Sequence, residues 1–376
     1  MDMARVVGVA ELPLHRGAVP RWLFRRMVSL AGGIVAVIVD EYGRDELLRR
    51  LSSPFWFQAF GCVLGFDWHS SGLTTVVSAA LREALKPEEL RVAVCGGKGK
   101  ASRKTPEEIL SFGELFGLSE SHIDSLQYAS RMSAKVDNTA IQAGYPLYHH
   151  VFVFTEDGNW VVVQQGMNVD DGTARRYHWL SERVESFVVE PHSAIVGDTV
   201  RRVALDMTAR KSEGCRKVSV DLAKEDPKRL ARLLSSVRPP GQKSLAEWVD
   251  MKDSYEVQLL RMPRRINWEA LRRAYETQPR NYEELLGIRG IGPATVRGLA
   301  LISELIYGEP PSWKDPVKYS FAFGGKDGVP RPIDRKALDE AIKFLKEAIQ
   351  QAKINEKERL HALKRLKSLA PKTAPL

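Results

Sequence analysis

Apolar residues recur at helical spacing early in the chain. Leu23, Met27, Leu30, Ile34, Val37 and Ile38 share one face of a segment over residues 21–50 that opens after Pro20, a residue favouring a helix start. Gly32-Gly33 interrupts this segment and allows a second outcome, with residues 34–39 as a strand. The spacing predicts another helix over residues 73–85 and a short strand over 90–94 that runs into Gly96-Gly97-Lys98-Gly99-Lys100. Thr105-Pro106-Glu107-Glu108 then restarts a helix, with Thr105 as cap, Pro106 in the first turn and Glu108 completing a capping box. Farther on the period shortens. Residues 148–155 and 159–165 are β-rich runs joined by the turn signal Glu156-Asp157-Gly158, and residues 187–189 add a third short strand. From about Lys224 the pattern is helical and strongly charged, broken at Pro239-Pro240-Gly241. The expected architecture is a mixed α/β (α+β) N-terminal domain over residues 1–222, built round a central β-hairpin and sheet, followed by an all-α domain over 223–376.

Composition narrows the partner. The chain has 376 residues, is 44% hydrophobic and carries a net charge of +9, enough apolar content for a substantial core and an imbalance that favours an anionic ligand. Its three cysteines, Cys62, Cys95 and Cys215, are far apart and support neither a disulfide framework nor a Cys-rich zinc site, so any metal would use His and carboxylates. No uninterrupted apolar run approaches a membrane span and the N-terminus lacks a signal-peptide layout; a cytoplasmic protein is expected.

Residues 285–300, LLGIRGIGPATVRGLA, match the helix-hairpin-helix pattern that grips nucleic-acid backbones. Gly290 and Gly292 permit a tight turn with main-chain N–H groups close to a ligand, Pro293 suits the first turn of the next helix, and Arg297 adds a cation beside that helix start. The competing reading is an ordinary tight turn between packed helices.

Reactive side chains concentrate upstream. In an extended segment Asp67 and His69 would point the same way and could share a divalent ion; alternatively Asp67 or Ser71 caps the following helix. Asp137 is a second candidate carboxylate. His149 and His150 face opposite sides of a strand, so only one of them can join a given site. Gln164 is either a functional orienter or a satisfied structural amide. Arg175, Arg176, Tyr177 and His178 combine charge and aromaticity as a nucleic-acid contact would, or form a solvated turn. Lys98, Lys100, Arg103 and Lys104 suit a phosphate backbone or form a merely solvated loop; a P-loop is excluded because Ala101 follows Gly99-Lys100. His192, after Glu190-Pro191, offers one more ligand or a surface loop.

The phrases LPLHRGAVPRWL, FWFQAFGCVLGFDWHSSG, GGKGKASRKTPEEI, AKVDNTAIQAGYPLYHH, VVVQQGMN and ARRYHWLSE, together with the hairpin segment, resemble a prokaryotic domain-of-unknown-function family, number 763. The resemblance implies association with DNA and a nuclease activity, and supplies no catalytic residues; Glu11 stands where the family pattern has Asp. Taken together, the expectation is a structure-selective DNA nuclease acting in repair or processing. Asp67, His69, Asp137 and His149 or His150 hold Mg²⁺ or Mn²⁺, Lys98 and Gln164 assist, and Gly290, Gly292, Arg297, Lys100, Arg103 and the 175–178 segment hold the strand. The alternatives are a DNA-repair glycosylase or lyase using Asp334, and a DNA-binding protein without catalysis. DNA against RNA, and monomer against homodimer, stay open.

Overall fold

The computed structural model describes residues 19–66, 72–197, 199–236, 259–263, 265–318 and 335–369. Helices α1 (Arg21–Tyr42), α2 (Arg44–Ser52), α3 (Pro54–Leu64), α4 (Gly72–Ala84) and the single turn α5 (Pro87–Leu90) lead into strand β1 (Val92–Lys98). Two helices follow, α6 (Thr105–Phe116) and α7 (Glu120–Thr139), then β2 (Ile141–Gln142), β3 (Leu147–Thr155), β4 (Trp160–Asn168), β5 (Thr173–Leu180), β6 (Ala194–Gly197) and β7 (Leu205–Asp206). The elements among the described residues that follow are helices: α8 (Glu213–Ala223), α9 (Pro227–Ser236), α10 (Trp268–Thr277), α11 (Tyr282–Gly287), α12 (Pro293–Tyr307), α13 (Arg335–Gln351) and α14 (Glu356–Leu369). Mixed α/β architecture is therefore what the chain adopts. β1, β3, β4, β5 and β6 form one antiparallel sheet in the order β1-β3-β4-β5-β6, while β2 and β7 form a separate two-stranded ribbon.

Both faces of the five-stranded sheet are covered. On one face Phe152, Val162, Tyr177 and Trp179 pack with Met132 of α7, Leu285 of α11 and Val296 of α12. On the other, Val151, Val163 and Leu180 pack with Met27 of α1, Phe60 of α3 and Leu345 of α13. Each cluster draws on residues from both sides of position 222, the boundary expected from the sequence, which falls near the end of α8. Double coverage makes β5 buried at every position, so its polar residues are interior groups.

Several local expectations are corrected by packing. α1 runs unbroken through Gly32-Gly33, because Gly33 serves close approach: a Cβ there would lie 2.8 Å from Ile354 Cγ2. α1 is also long and apolar enough to cross a membrane by length and composition alone; its Met27, Leu30, Ile34 and Ile38 are buried in the second cluster. The capping box at α6 does not form. Thr105 lies inside the helix and donates to Ser102 O, while Glu108 accepts from the Gly96 N–H at 2.7 Å and pairs with Arg82. Residues 187–189 are bends rather than a strand, and the edge strand beside β5 is β6. The β3–β4 turn forms as expected round Gly158, at φ +81°.

Candidate active site

A row of polar residues crosses the sheet on each face at one level. Register pairs His150 with Gln164 and Gln164 with Tyr177 on the α7 side, and Lys98 with His149, His149 with Gln165 and Gln165 with Arg176 on the other. On the α7 side the row meets Asp137, on the last turn of α7 and 1% exposed. Its Oδ2 accepts from Gln164 Nε2 and from Trp179 Nε1, the latter at 2.9 Å; its Oδ1 bonds His192 Nε2 at 2.5 Å. A carboxylate so buried requires this degree of satisfaction.

The bonds fix the protons. Because Gln164 Nε2 donates to Asp137, its Oε1 is the acceptor facing His150 Nδ1 at 2.8 Å, so His150 carries its proton on Nδ1. His150 Nε2 is then an acceptor and takes the Ser130 hydroxyl proton at 2.9 Å. Burial lowers the His150 pKa, in keeping with a neutral ring. The chain Ser130–His150–Gln164–Asp137 thus converges with all its donors aligned on the carboxylate that holds His192.

His192 connects this interior to solvent. It sits in a loop tied at both ends, by Glu190 N–H to Thr208 O at 2.9 Å and Ser193 N–H to His178 O at 3.0 Å, and Glu190 adopts φ +44°, an uncommon value for a side-chain-bearing residue. The ring packs edge-on against Trp179, centroids 4.6 Å apart. It lines a cavity of about 400 Å³ together with Asp206 and Thr208; the exposed Arg210, Lys211, Lys314 and Lys318 also line it, Arg210 being paired with Glu190 of the same wall at 3.1 Å. Asp206 Oδ1 accepts from the Thr208 N–H at 2.8 Å and the Thr208 hydroxyl at 2.6 Å; burial raises its carboxyl pKa, and these two hydrogen bonds, then nearby His192, oppose that rise. An imidazole oriented by a carboxylate, a second carboxyl whose pKa burial raises and lysines in the same wall suit acid–base chemistry on an anionic substrate.

The other sheet face holds a structural network. Arg176 donates to His178 Nε2 at 2.8 Å and to Gln58 Oε1 at 3.1 Å; His178 Nδ1 bonds Leu51 O at 3.0 Å; Gln165 bonds Thr74 and the Tyr148 hydroxyl. His149 Nε2 meets Ser78 Oγ at 3.2 Å, and burial pushes its pKa down to about 3. These contacts tie β3, β4 and β5 to the loops and helices around α2, α3 and α4.

Placement of the candidate residues follows. Asp137, His150 and Gln164 come together; His149 does not join them, because strand alternation puts it across the sheet. Arg175, Arg176, Tyr177 and His178 are buried in β5 and cannot lie along a nucleic acid, which corrects the reading of that segment as a contact surface; Arg175 instead pairs with Asp315 at 2.7 Å, both side chains fully buried. Lys98, Lys100 and Arg103 are exposed at the end of β1 and the turn after it, on a different part of the surface from His192. Asp67, His69, Glu11 and Asp334 lie outside the described residues. No group of three His, Cys, Asp or Glu side chains among the described residues is arranged to hold a metal ion.

The α11–α12 turn is well braced. Asn281 caps α11 through the Glu284 N–H at 2.9 Å, Gly290 takes φ +93°, and α10 supports the turn, with Arg273 Nη2 donating to Arg289 O at 2.7 Å and Asn267 Nδ2 to Gly290 O at 3.3 Å. Arg297 is half-buried beside the start of α12.

No curated protein and no solved structure matches the chain. Residues 8–333, and with them every side chain of the His192 cavity and the α11–α12 turn, match the family described as protein of unknown function DUF763. The chain belongs to the DUF763 family.

Proposed function

We propose that this protein hydrolyses phosphodiester bonds in a nucleic acid, with DNA as the substrate first expected, at the His192 cavity. The observation carrying the reading is His192, held by Asp137 from behind, in the wall of a cavity that Arg210, Lys211, Lys314 and Lys318 also line. Asp137 accepts the His192 Nε2 proton and leaves Nδ1 to take a proton from water as its oxygen attacks phosphorus; Asp137 also stabilises the imidazolium that forms. The bond from phosphorus to the leaving oxygen breaks as the Asp206 carboxyl gives that oxygen a proton. Lys211, Lys314 and Lys318 balance the charge of the phosphate, Arg210 being paired with Glu190.

Support for a nucleic-acid substrate comes from the α11–α12 turn. Its sequence has the helix-hairpin-helix pattern, the first-turn N–H groups of α12 lack intrahelical partners, and phosphate is a natural ligand for such a terminus. Contacts of that kind read backbone geometry and not base identity, so selectivity for structure is the corollary. The Mg²⁺ or Mn²⁺ expected from the sequence has no site in Asp137, His149 and His150 as a set: Asp137 and His150 spend their polar atoms on one another's network, and His149 lies across the sheet. No step above is therefore routed through an ion.

The test is a panel of end-labelled single-stranded, duplex, flap and bubble DNAs with matching RNAs, incubated with Mg²⁺, Mn²⁺ or chelator. Wild type is expected to cut at least one of them. His192→Gln and Asp206→Asn are expected to bind the same substrate and not cut it; binding by wild type with no cleavage in any arm removes the hydrolytic half of the proposal.

A further inference from the structure

A second cavity, of about 480 Å³, opens between the β4–β5 turn and the start of α12. It lies across the β2–β7 ribbon from the His192 cavity: Asp206 of β7, in the first cavity, is one position along the ribbon from Leu205, the register partner of Gln142, and Gln142 lines the second. Asn138, next to Asp137, also lines it.

Three features of its wall differ in chemistry. At one end are Pro293 and Ala294 in the first turn of α12, a 15-residue helix, with Arg297 beside them, an environment for an anion. Along the side are Ile141, Tyr145, Met167 and Val169, the last 70% exposed, an apolar surface that fits the flat face of a base or sugar. The third is Gln142, 4% exposed. Its Nε2 donates to Thr139 O and to Pro293 O, both at 2.9 Å. With both N–H groups committed to carbonyls the amide cannot flip, and Oε1 has no partner among the described residues. A buried carbonyl oxygen left in this state is costly, and a ligand that donates a hydrogen bond offsets that cost. Asp170, exposed at the rim, opposes an anion on its own side, so the phosphate end belongs at α12.

We infer that this cavity holds one nucleoside phosphate unit of the bound strand, its phosphate at the start of α12 and a hydrogen-bond donor of its base or sugar on Gln142 Oε1. The inference rests on the nucleic-acid reading above and adds the nucleoside part, which a backbone grip alone does not require. The cavity volume lies within the range usual for small-ligand sites.

Equilibrium binding of dAMP, AMP and inorganic phosphate to the full chain, with no cleavage step involved, tests it. Both nucleotides are expected to bind more tightly than phosphate. Gln142→Met is expected to weaken dAMP about tenfold, the scale of one buried hydrogen bond, and to leave phosphate unchanged. A donor on the base gives equal binding of AMP and dAMP; a donor on the ribose 2′ hydroxyl gives a preference for AMP that Gln142→Met abolishes. Because Gln142 also ties Thr139 to Pro293, Arg297→Gln on the outer wall serves as the second variant, with an expected loss for phosphate and nucleotides alike. Nucleotides binding no better than phosphate, or folded Gln142→Met binding dAMP as wild type does, overturns the inference. Failure of the hydrolytic reading is separate: nucleic acid would be bound and never cut while the nucleotide results stood.

Discussion

The two glycines of the α11–α12 turn should respond in opposite ways to the same substitution. Gly290 sits at φ +93°, and an added Cβ would lie 2.8 Å from Asn267 Nδ2 and 2.9 Å from Arg273 Nη2. Alanine there incurs roughly 1–2 kcal/mol for the backbone conformation. It also displaces the side chains that bond Arg289 O and Gly290 O, costing about 1 kcal/mol more. Gly290→Ala is therefore expected to lose about 2–3 kcal/mol of stability. Gly292 has φ −121° and ψ −177°, which any residue adopts, and its Cβ would meet nothing nearer than Gly290 O at 3.9 Å. Gly292→Ala should be neutral to stabilising by roughly 0.4–1 kcal/mol through the unfolded chain. Its methyl group nonetheless occupies the space through which a phosphate would reach the α12 N–H groups. Loss of one charge-assisted hydrogen bond corresponds to roughly ten- to hundredfold weaker binding. Urea unfolding, and fluorescence anisotropy with labelled DNA at one fixed salt concentration, measure the two effects. A Gly290→Ala protein as stable as wild type would refute the conformational argument, and a Gly292→Ala protein binding DNA undiminished would refute the claim that the turn is where DNA approaches.

Three further predictions concern the interior. Asp137→Ala strips the partners from Gln164, Trp179 and His192 together and should lower stability by about 2–4 kcal/mol in chemical denaturation, whereas a loss below about 0.5 kcal/mol would mean the network is not held by that carboxylate. Arg175→Met leaves Asp315 buried without its cation and should cost roughly 3–5 kcal/mol, with Arg175→Met/Asp315→Asn recovering a good part of it; equal losses in the single and double variants would contradict the pairing. Neutral buried His149, its pKa pushed down to about 3, makes stability depend on pH. Below the ordinary histidine value the unfolded chain binds a proton that the folded chain refuses, so stability falls as pH drops from about 6.5 towards 3, by roughly 1.4 kcal/mol per unit for this group. His178 and His150, also lowered by burial, steepen the slope; His149→Leu should flatten it by about one proton, and an unchanged slope would contradict burial of the neutral ring.

What could be read in advance was local. The 3.6-residue spacing of α1, the Gly158 turn between β3 and β4, and the α11–α12 turn each lie within a short stretch, where periodicity and turn chemistry decide the outcome. Gly32-Gly33 leaves a break open in the sequence because a glycine used for close packing looks the same there as one that breaks a helix. β5 is hard to read for a related reason: a strand covered on both faces shows no alternation, and Arg175, Arg176 and His178 mimic a surface patch when their partners lie on a distant loop, α3 and α2. Asp137, His150 and Gln164 were visible as separate candidates, yet their order of donation depends on register between β3 and β4. The Asp137–His192 bond joins residues 55 apart through a loop with no periodicity, and Glu190-Pro191-His192 was its only trace in the sequence.

The central claim is that His192, held by Asp137, accepts the proton of the attacking water. Imidazole rescue tests it most directly: His192→Ala removes the ring from the cavity wall and leaves room for free imidazole beside Asp137. With a substrate that wild type cuts, the account predicts that His192→Ala binds it normally, cleaves it at least a hundredfold more slowly, in line with loss of a general base, and regains cleavage as imidazole is added. Cleavage by His192→Ala at the wild-type rate would contradict it.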